Sequence, residues 1–272
     1  AFENTKLTSI YLPDTLVEIG RSAFARCRSL SEISLPDSVA TVGAYAFYLN
    51  AVGLHANIRY NTGTVAPYMF YNSSIYSVTM DNRITVIGEY AFASSTLEEI
   101  TIPKSIKKIE FCAFFESKSL TNVIIPEGVT KIGKFAFQHC TSLTNVILPK
   151  TITEIESFAF SSCSSLQNIV IPEGVKRIGE FAFLSCTSLT NVIISEGVTR
   201  IGWCAFMHCD SLTNVIIPKS VTEIVEGAFE DCKSLTNVTI PKDLKFTENP
   251  FIGCTSLKSL TTHEGEEIPL PN

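Results

Sequence analysis

Apolar positions along this chain recur on two scales, a short cadence inside a unit and a long period between units. In Leu143-Thr-Asn-Val146-Ile-Leu148-Pro149 the set Leu143, Val146, Leu148 follows the L-x-x-L-x-L spacing of a short strand in a parallel ladder. Pro149 has no N–H to donate and ends that strand. Downstream, Ile152 and Ile155 lead to Ala159, Phe160 and Cys163. Offsets of four, five and eight residues from Ile155 to these three suit one face of a helix, so a short helical or 3₁₀ turn is expected there. Thr151–Ile155 reads as a second, shorter strand.

The long period makes these unit-scale readings general. "KIGKFAFQHCTSLTNVILP" (131–149) is rewritten as "RIGEFAFLSCTSLTNVIIS" (177–195) and "RIGWCAFMHCDSLTNVIIP" (200–218). The phenylalanine of the motif falls at Phe2, Phe24, Phe47, Phe70, Phe92, Phe114, Phe137, Phe160, Phe183, Phe206, Phe229 and Phe251, always 22 or 23 residues apart. Such a period signals a solenoid, which grows by adding units rather than by enlarging one core. The expected fold is a mainly β, right-handed stack of about twelve units over residues 1–262. It has a parallel sheet on one face and short helical turns on the other, and twelve strands at ~4.8 Å give a rod on the order of 55 Å long. Each unit contributes about seven apolar side chains, at roughly 1.5–3 kcal/mol apiece when buried, that only a stack can cover.

The pattern C-x-x-L-x-x-V-x-I-P-x-x-V-x-x-I-G-x-x-A-F-x-x-C, clearest from Ile102 to Pro241, resembles the BspA-type leucine-rich repeat. The resemblance implies a bacterial or protist protein that is secreted or attached to the cell surface. Some members of that family act as adhesins for host matrix proteins or other microbes. It implies an extracellular interaction role and brings no catalytic residues with it. Two segments depart from the pattern: Ala51–Pro67 has lost the Ile-Pro and Ile-Gly pairs, and Lys242–Phe251 is one residue short.

Charge and composition narrow the partners. A net charge of −6 and a pI near 5.3 run against nucleic acid, which needs clustered Lys and Arg. No apolar run approaches 18 residues, so no membrane-inserted helix is expected. The chain opens inside a repeat at Ala1-Phe2 and reads as a trimmed or mature piece of something longer. Its end, "HEGEEIPLPN" (263–272), reads as a polar tail or linker.

Seven of the nine cysteines (Cys27, Cys140, Cys163, Cys186, Cys209, Cys232, Cys254) stand three residues after the marker phenylalanine. Asn50, Ser73, Ser95 and Ser117 fill the same column. Buried free thiols are the first expectation, and bridges between neighbouring units the second. Cys204, His208 and Cys209 lack the C-x₂₋₄-C pairs of a zinc site, so neither metal nor cofactor is expected. The Ser-rich segments and single glycines recur as turns, and no nucleophile–base constellation emerges, which argues against an enzyme.

Two surface features remain as candidates for partner contact. On the outward face of the strand, Ile124, Ile147, Val170, Ile193 and Ile216 form an aliphatic stripe beside an asparagine column. Either it is an exposed contact patch or adjoining loops cover it. Around the degenerate repeat, Tyr45, Tyr48, Tyr60, Tyr68, Tyr71 and Tyr76 cluster with His55 and Arg59; either they are interface anchors, a role these residue types favour, or the aromatics fill the gap left by the lost Ile and Pro. The expected function is a non-enzymatic surface or secreted binding module, an adhesin for a protein or glycan. The alternative is a spacer or stalk that self-associates weakly through the stripe.

Overall fold

The computed structural model describes residues 1–51, 53–59, 63–246 and 248–271. A full unit contributes a two-residue strand, an arc of turns and a longer strand. In one unit these are Lys131–Ile132, residues 133–140 and Asn145–Ile147. The second, shorter strand expected within Thr151–Ile155 is present as Glu154–Ile155. The two strand sets build opposite faces of a β-solenoid, every ladder between successive units is parallel, and equivalent residues pair in register. Glu154 lies opposite Arg177 on one face, and Asn145 opposite Asn122 on the other. Pairing like with like puts each apolar position of one unit on its equivalent in the next, which turns the period into columns.

Ten units, those of Phe24 through Phe229, have a short strand, so the solenoid makes about ten full turns rather than twelve. All twelve phenylalanines nevertheless stack in one interior column from Phe2 to Phe251, with ring centroids 5.0–5.6 Å apart. The terminal units supply the arc without the full pair of strands.

The expected helical turns are replaced by something else: among the described residues there is no helix. The arc is a run of overlapping reverse turns, in which Ala136, Gln138 and Cys140 N–H donate to the Gly133, Phe135 and Phe137 carbonyls at 3.1–3.2 Å. The alternate N–H groups of Phe135, Phe137 and His139 point along the axis, to the Ser157, Ala159 and Ser161 carbonyls of the next unit. Phe135 and His139 hold φ near 60°. A left-handed residue every fourth position cannot continue a helix and costs roughly 1–2 kcal/mol where it is not glycine. The three bonds to the next unit offset that cost, and they exist only in the stack. The glycines of "IG" serve a different need from the turn role expected. A Cβ on Gly179 would stand 2.6 Å from the Glu156 carbonyl carbon, so glycine there permits close approach of the preceding unit.

The cysteine column is interior, as expected, and all nine cysteines are buried free thiols. Each column thiol donates to the phenylalanine carbonyl of the unit before it: Cys140 to Phe114 at 3.1 Å, Cys163 to Phe137 at 3.2 Å, Cys232 to Phe206 at 3.2 Å. Ser73 and Ser117 make the same bond at 2.6 and 2.8 Å. The column thus selects a small donor. Asn50 is too long for it, and both its amide atoms are buried without a partner. Replacing Asn50 with Cys is expected to raise stability by about 1–2 kcal/mol by removing that desolvation cost. A urea midpoint that stays put or falls would show that the amide costs nothing.

At the C-terminal end the polar tail folds back on the solenoid. Glu267–Ile268 pairs antiparallel with Leu260–Thr262, Ile268 and Leu270 pack on the core, and the Asn249 side chain donates to the Pro271 carbonyl at 3.0 Å. Two apolar residues in an otherwise polar tail are enough to fold it back over the last unit.

Candidate binding face and aromatic edge

Outside the core, the longer strands present three parallel columns over the C-terminal units. Thr144 and its equivalents donate their hydroxyls to the carbonyls of the preceding unit, as in Thr144 to Thr121 and Thr236 to Thr213, at 3.1 and 3.2 Å. The asparagines stand beside them, and Asn237 donates to the Asn214 side-chain oxygen at 2.7 Å. The third column is the stripe: Ile124, Ile147, Val170, Ile193 and Ile216 are 49–61% exposed. Among the described residues no loop buries them. The backbone ladder fixes their spacing, so the stripe is a stiff, uncharged ridge.

The tyrosine group divides. Tyr45, Tyr48, Tyr68 and Tyr71 belong to the arc edge, where Tyr45 stacks on Tyr68 at 4.5 Å and Tyr48 on Tyr71 at 5.7 Å. Arg21 and Arg26 lie over the Tyr45 and Tyr48 rings at 5.1 and 5.8 Å. His55 and Tyr76 are instead on the strand face, their rings 4.8 Å apart, and His55 meets the Ser77 hydroxyl at 2.9 Å. Exposed Arg59 lines a separate hollow of about 460 Å³ with Tyr11 and Asp37. Tyr60 falls outside the described residues.

The arc edge extends well beyond the tyrosines. Ring contacts run unbroken from Tyr45 through Tyr68, Tyr90, Phe111, Phe135, Phe158 and Phe181 to Trp203, with centroids 4.5–5.6 Å apart. The sequence signal is an aromatic two residues before the marker phenylalanine. It slips to three at Phe111 and Trp203, where Cys112 and Cys204 take the usual place. Burial raises the Tyr68 phenol, and the contact with Cys112, with burial second, raises that of Tyr90. Because most rings lie face to face along the axis, the ladder turns edges to solvent and offers few open faces for a sugar ring to stack on.

On the strand face the ladder is interrupted. Glu32–Leu35, Leu54–Ile58 and Ile75–Met80 form one sheet, and a second starts at Asn122–Ile124. Between them the unit of Phe92 contributes only the bridge from Glu99 to Asn122. That unit is short by one residue, reading Ser95-Thr-Leu97 where its equivalent reads Cys140-Thr-Ser-Leu143. The face opens there into a groove of about 880 Å³ whose lining includes Tyr76, Ile100, Ile102, Ile124, Ile147 and Pro149. Tyr76 is 74% exposed and Ile124 61%. Two features that the sequence presents separately, the tyrosine cluster and the stripe, therefore meet in one site through Tyr76.

The model of the BspA type leucine-rich repeat region (6 copies) matches residues 1–119, 108–224 and 178–268. Among solved structures, the chain is similar to a leucine-rich repeat protein from Bacteroides ovatus ATCC 8483. The two are 28% identical with a TM-score of 0.70, over 91% of this chain and 59% of that one. It spans, then, about three-fifths of that protein's length. A leucine rich cell surface protein from Faecalibacterium prausnitzii A2-165 is 25% identical, with a TM-score of 0.51 over 96% of this chain and 82% of that one. A leucine-rich repeat protein from Eubacterium ventriosum ATCC 27560 shares the fold at 19% identity, with a TM-score of 0.58 over 94% and 79% of the two chains. No curated protein matches. The period, the stacked phenylalanines, the parallel ladders and the matched residues agree: the chain belongs to the BspA-type leucine-rich repeat family.

Proposed function

We propose that this chain is a non-enzymatic binding module of a secreted or cell-surface protein, an adhesin that holds a protein or glycan by rigid display of side chains. The observation that carries this reading is the stripe: five large aliphatic side chains, 49–61% exposed, fixed in register on an uncovered face. Folded proteins seldom leave a contiguous apolar ridge in water unless it meets a partner. Surface placement is supported by family membership and by the cell-surface description of the Faecalibacterium protein. The test is solid-phase binding of the purified chain to a panel of matrix proteins and glycans, beside an Ile147→Ser, Ile193→Ser variant. Saturable binding by the parent, weakened at least tenfold in a variant that melts at the same temperature, is the expected result. Equal binding by parent and variant would reject the stripe as the contact, and silence across the panel would favour a stalk.

A further inference from the structure

The groove at the broken ladder has a chemistry more specific than the reading it rests on, that of a binding module. We infer that it receives an extended peptide segment of a partner protein, one that carries aliphatic or aromatic side chains beside basic residues. Three observations select this occupant. First, the walls are mostly apolar: Ile100, Ile102, Ile124, Ile147 and Pro149 flank Tyr76, the one aromatic plane, while Ser77, Thr101 and Asn122 supply polar side chains that can pair a peptide backbone. A glycan would find a single ring to stack on, whereas the apolar side chains of an extended segment cover the aliphatic wall. Second, the rim carries Glu99 and Glu127 against one cation, Lys104, in a chain of net charge −6. The acidic excess favours a basic segment. Third, the stripe by itself is too small to hold a second copy stably. The stripe covers four rung spacings of about 4.8 Å and a width of about 10 Å, roughly 200 Å² per copy. A stable pair needs about 800 Å² per partner. A groove of about 880 Å³ lies instead in the size range of sites that enclose a small ligand or a few side chains.

The break in pairing makes the site possible. Where successive units pair fully, the strand face is a flush ladder whose columns touch. Where the unit of Phe92 contributes one bridge in place of a strand, side chains of four units line the groove between Tyr76 and Ile147.

The test is selection of a random twelve-residue peptide library on the immobilised chain, followed by fluorescence anisotropy of the enriched peptides. Two variants substitute only exposed side chains, so each should keep the parent's melting temperature: Tyr76→Ala with Ile124→Asp in the groove, and Ile193→Asp with Ile216→Asp on the stripe beyond it. Apolar peptides with lysine or arginine should be enriched. Their dissociation constants should rise at least tenfold in the groove variant, less than twofold in the stripe variant, and about threefold with Glu99→Gln. Failure to enrich any peptide, or equal affinity for parent and groove variant, overturns the inference. So does a glycan of the binding panel whose capture the groove variant abolishes, or a dimer in light scattering that the groove variant converts to monomer. Panel binding that is lost in Ile147→Ser, Ile193→Ser yet unaffected by Tyr76→Ala with Ile124→Asp would leave the binding-module reading standing and remove this one alone.

Discussion

Truncating Phe160 to Ala is expected to lower stability by about 3–5 kcal/mol and to split a single unfolding transition into two. The magnitude follows from complete burial and from the void that truncation leaves, since the backbone on both sides is clamped by ladder bonds and cannot collapse inward. Phe160 also stacks on two neighbours, Phe137 at 5.2 Å and Phe183 at 5.4 Å. The splitting follows from topology. In a solenoid each unit is held by its neighbours, so a weak interface in the middle divides the stack into two blocks of different stability. Phe2→Ala is the internal comparison, because that ring is 39% exposed and stacks on one neighbour, Phe24. It should cost well under half as much and leave one transition. Urea melts followed by circular dichroism decide the matter; equal losses at the two positions would contradict the column as the main source of cohesion.

The second large effect is alkaline. Burial holds the thiols of Cys140 and Cys163 far above their ordinary range and pushes that of Cys186 from 9.0 up to about 12. In the unfolded chain these groups ionise near pH 8.5–9. Above that range the native state keeps protons that the unfolded state gives up. The stability they contribute is fully present below about pH 9 and is lost as the pH climbs towards the folded values. Each such cysteine approaches a slope of about 1.4 kcal/mol per pH unit, so the three together should remove a few kcal/mol by about pH 10. Urea midpoints at pH 8, 9 and 10 in reducing buffer should therefore fall steeply. Cys186→Ser, which can donate to the Phe160 carbonyl as Ser117 does to Phe92, should flatten the fall by one cysteine's share. A flat parent profile, or an unchanged slope in the variant, would sink the account. The same neutrality predicts slow reaction with thiol reagents, since the thiolate is the nucleophile.

How much of this was legible depends on where each feature stores its information. The phenylalanine and cysteine columns repeat at fixed offsets, so their burial could be read directly from the chain. The arc could not. Phe135 and His139 have no preference for φ near 60°, and the bonds that hold them there go to Ser157 and Ser161, one unit away. Local spacing therefore suggested a helix, and the stack overruled it. The aromatic edge escaped notice because Phe111 and Trp203 step out of the column by one position. The groove escaped for a related reason. Tyr76 drew attention as one of six clustered tyrosines, whereas its partners are the aliphatic residues of later units, which meet it where the unit of Phe92 leaves the ladder.

The axial hydrogen bonds of the arcs have a mechanical consequence. Phe135, Phe137 and His139 each bond to the next unit along the line that joins the two ends of the solenoid. A pull along that line loads these bonds in tension. Each unit released frees 22 or 23 residues, about 75 Å of extended chain in place of a rung about 4.8 Å thick. Under load the molecule lengthens in steps, one unit at a time, dissipating work at each, while the units still stacked keep their side chains in register.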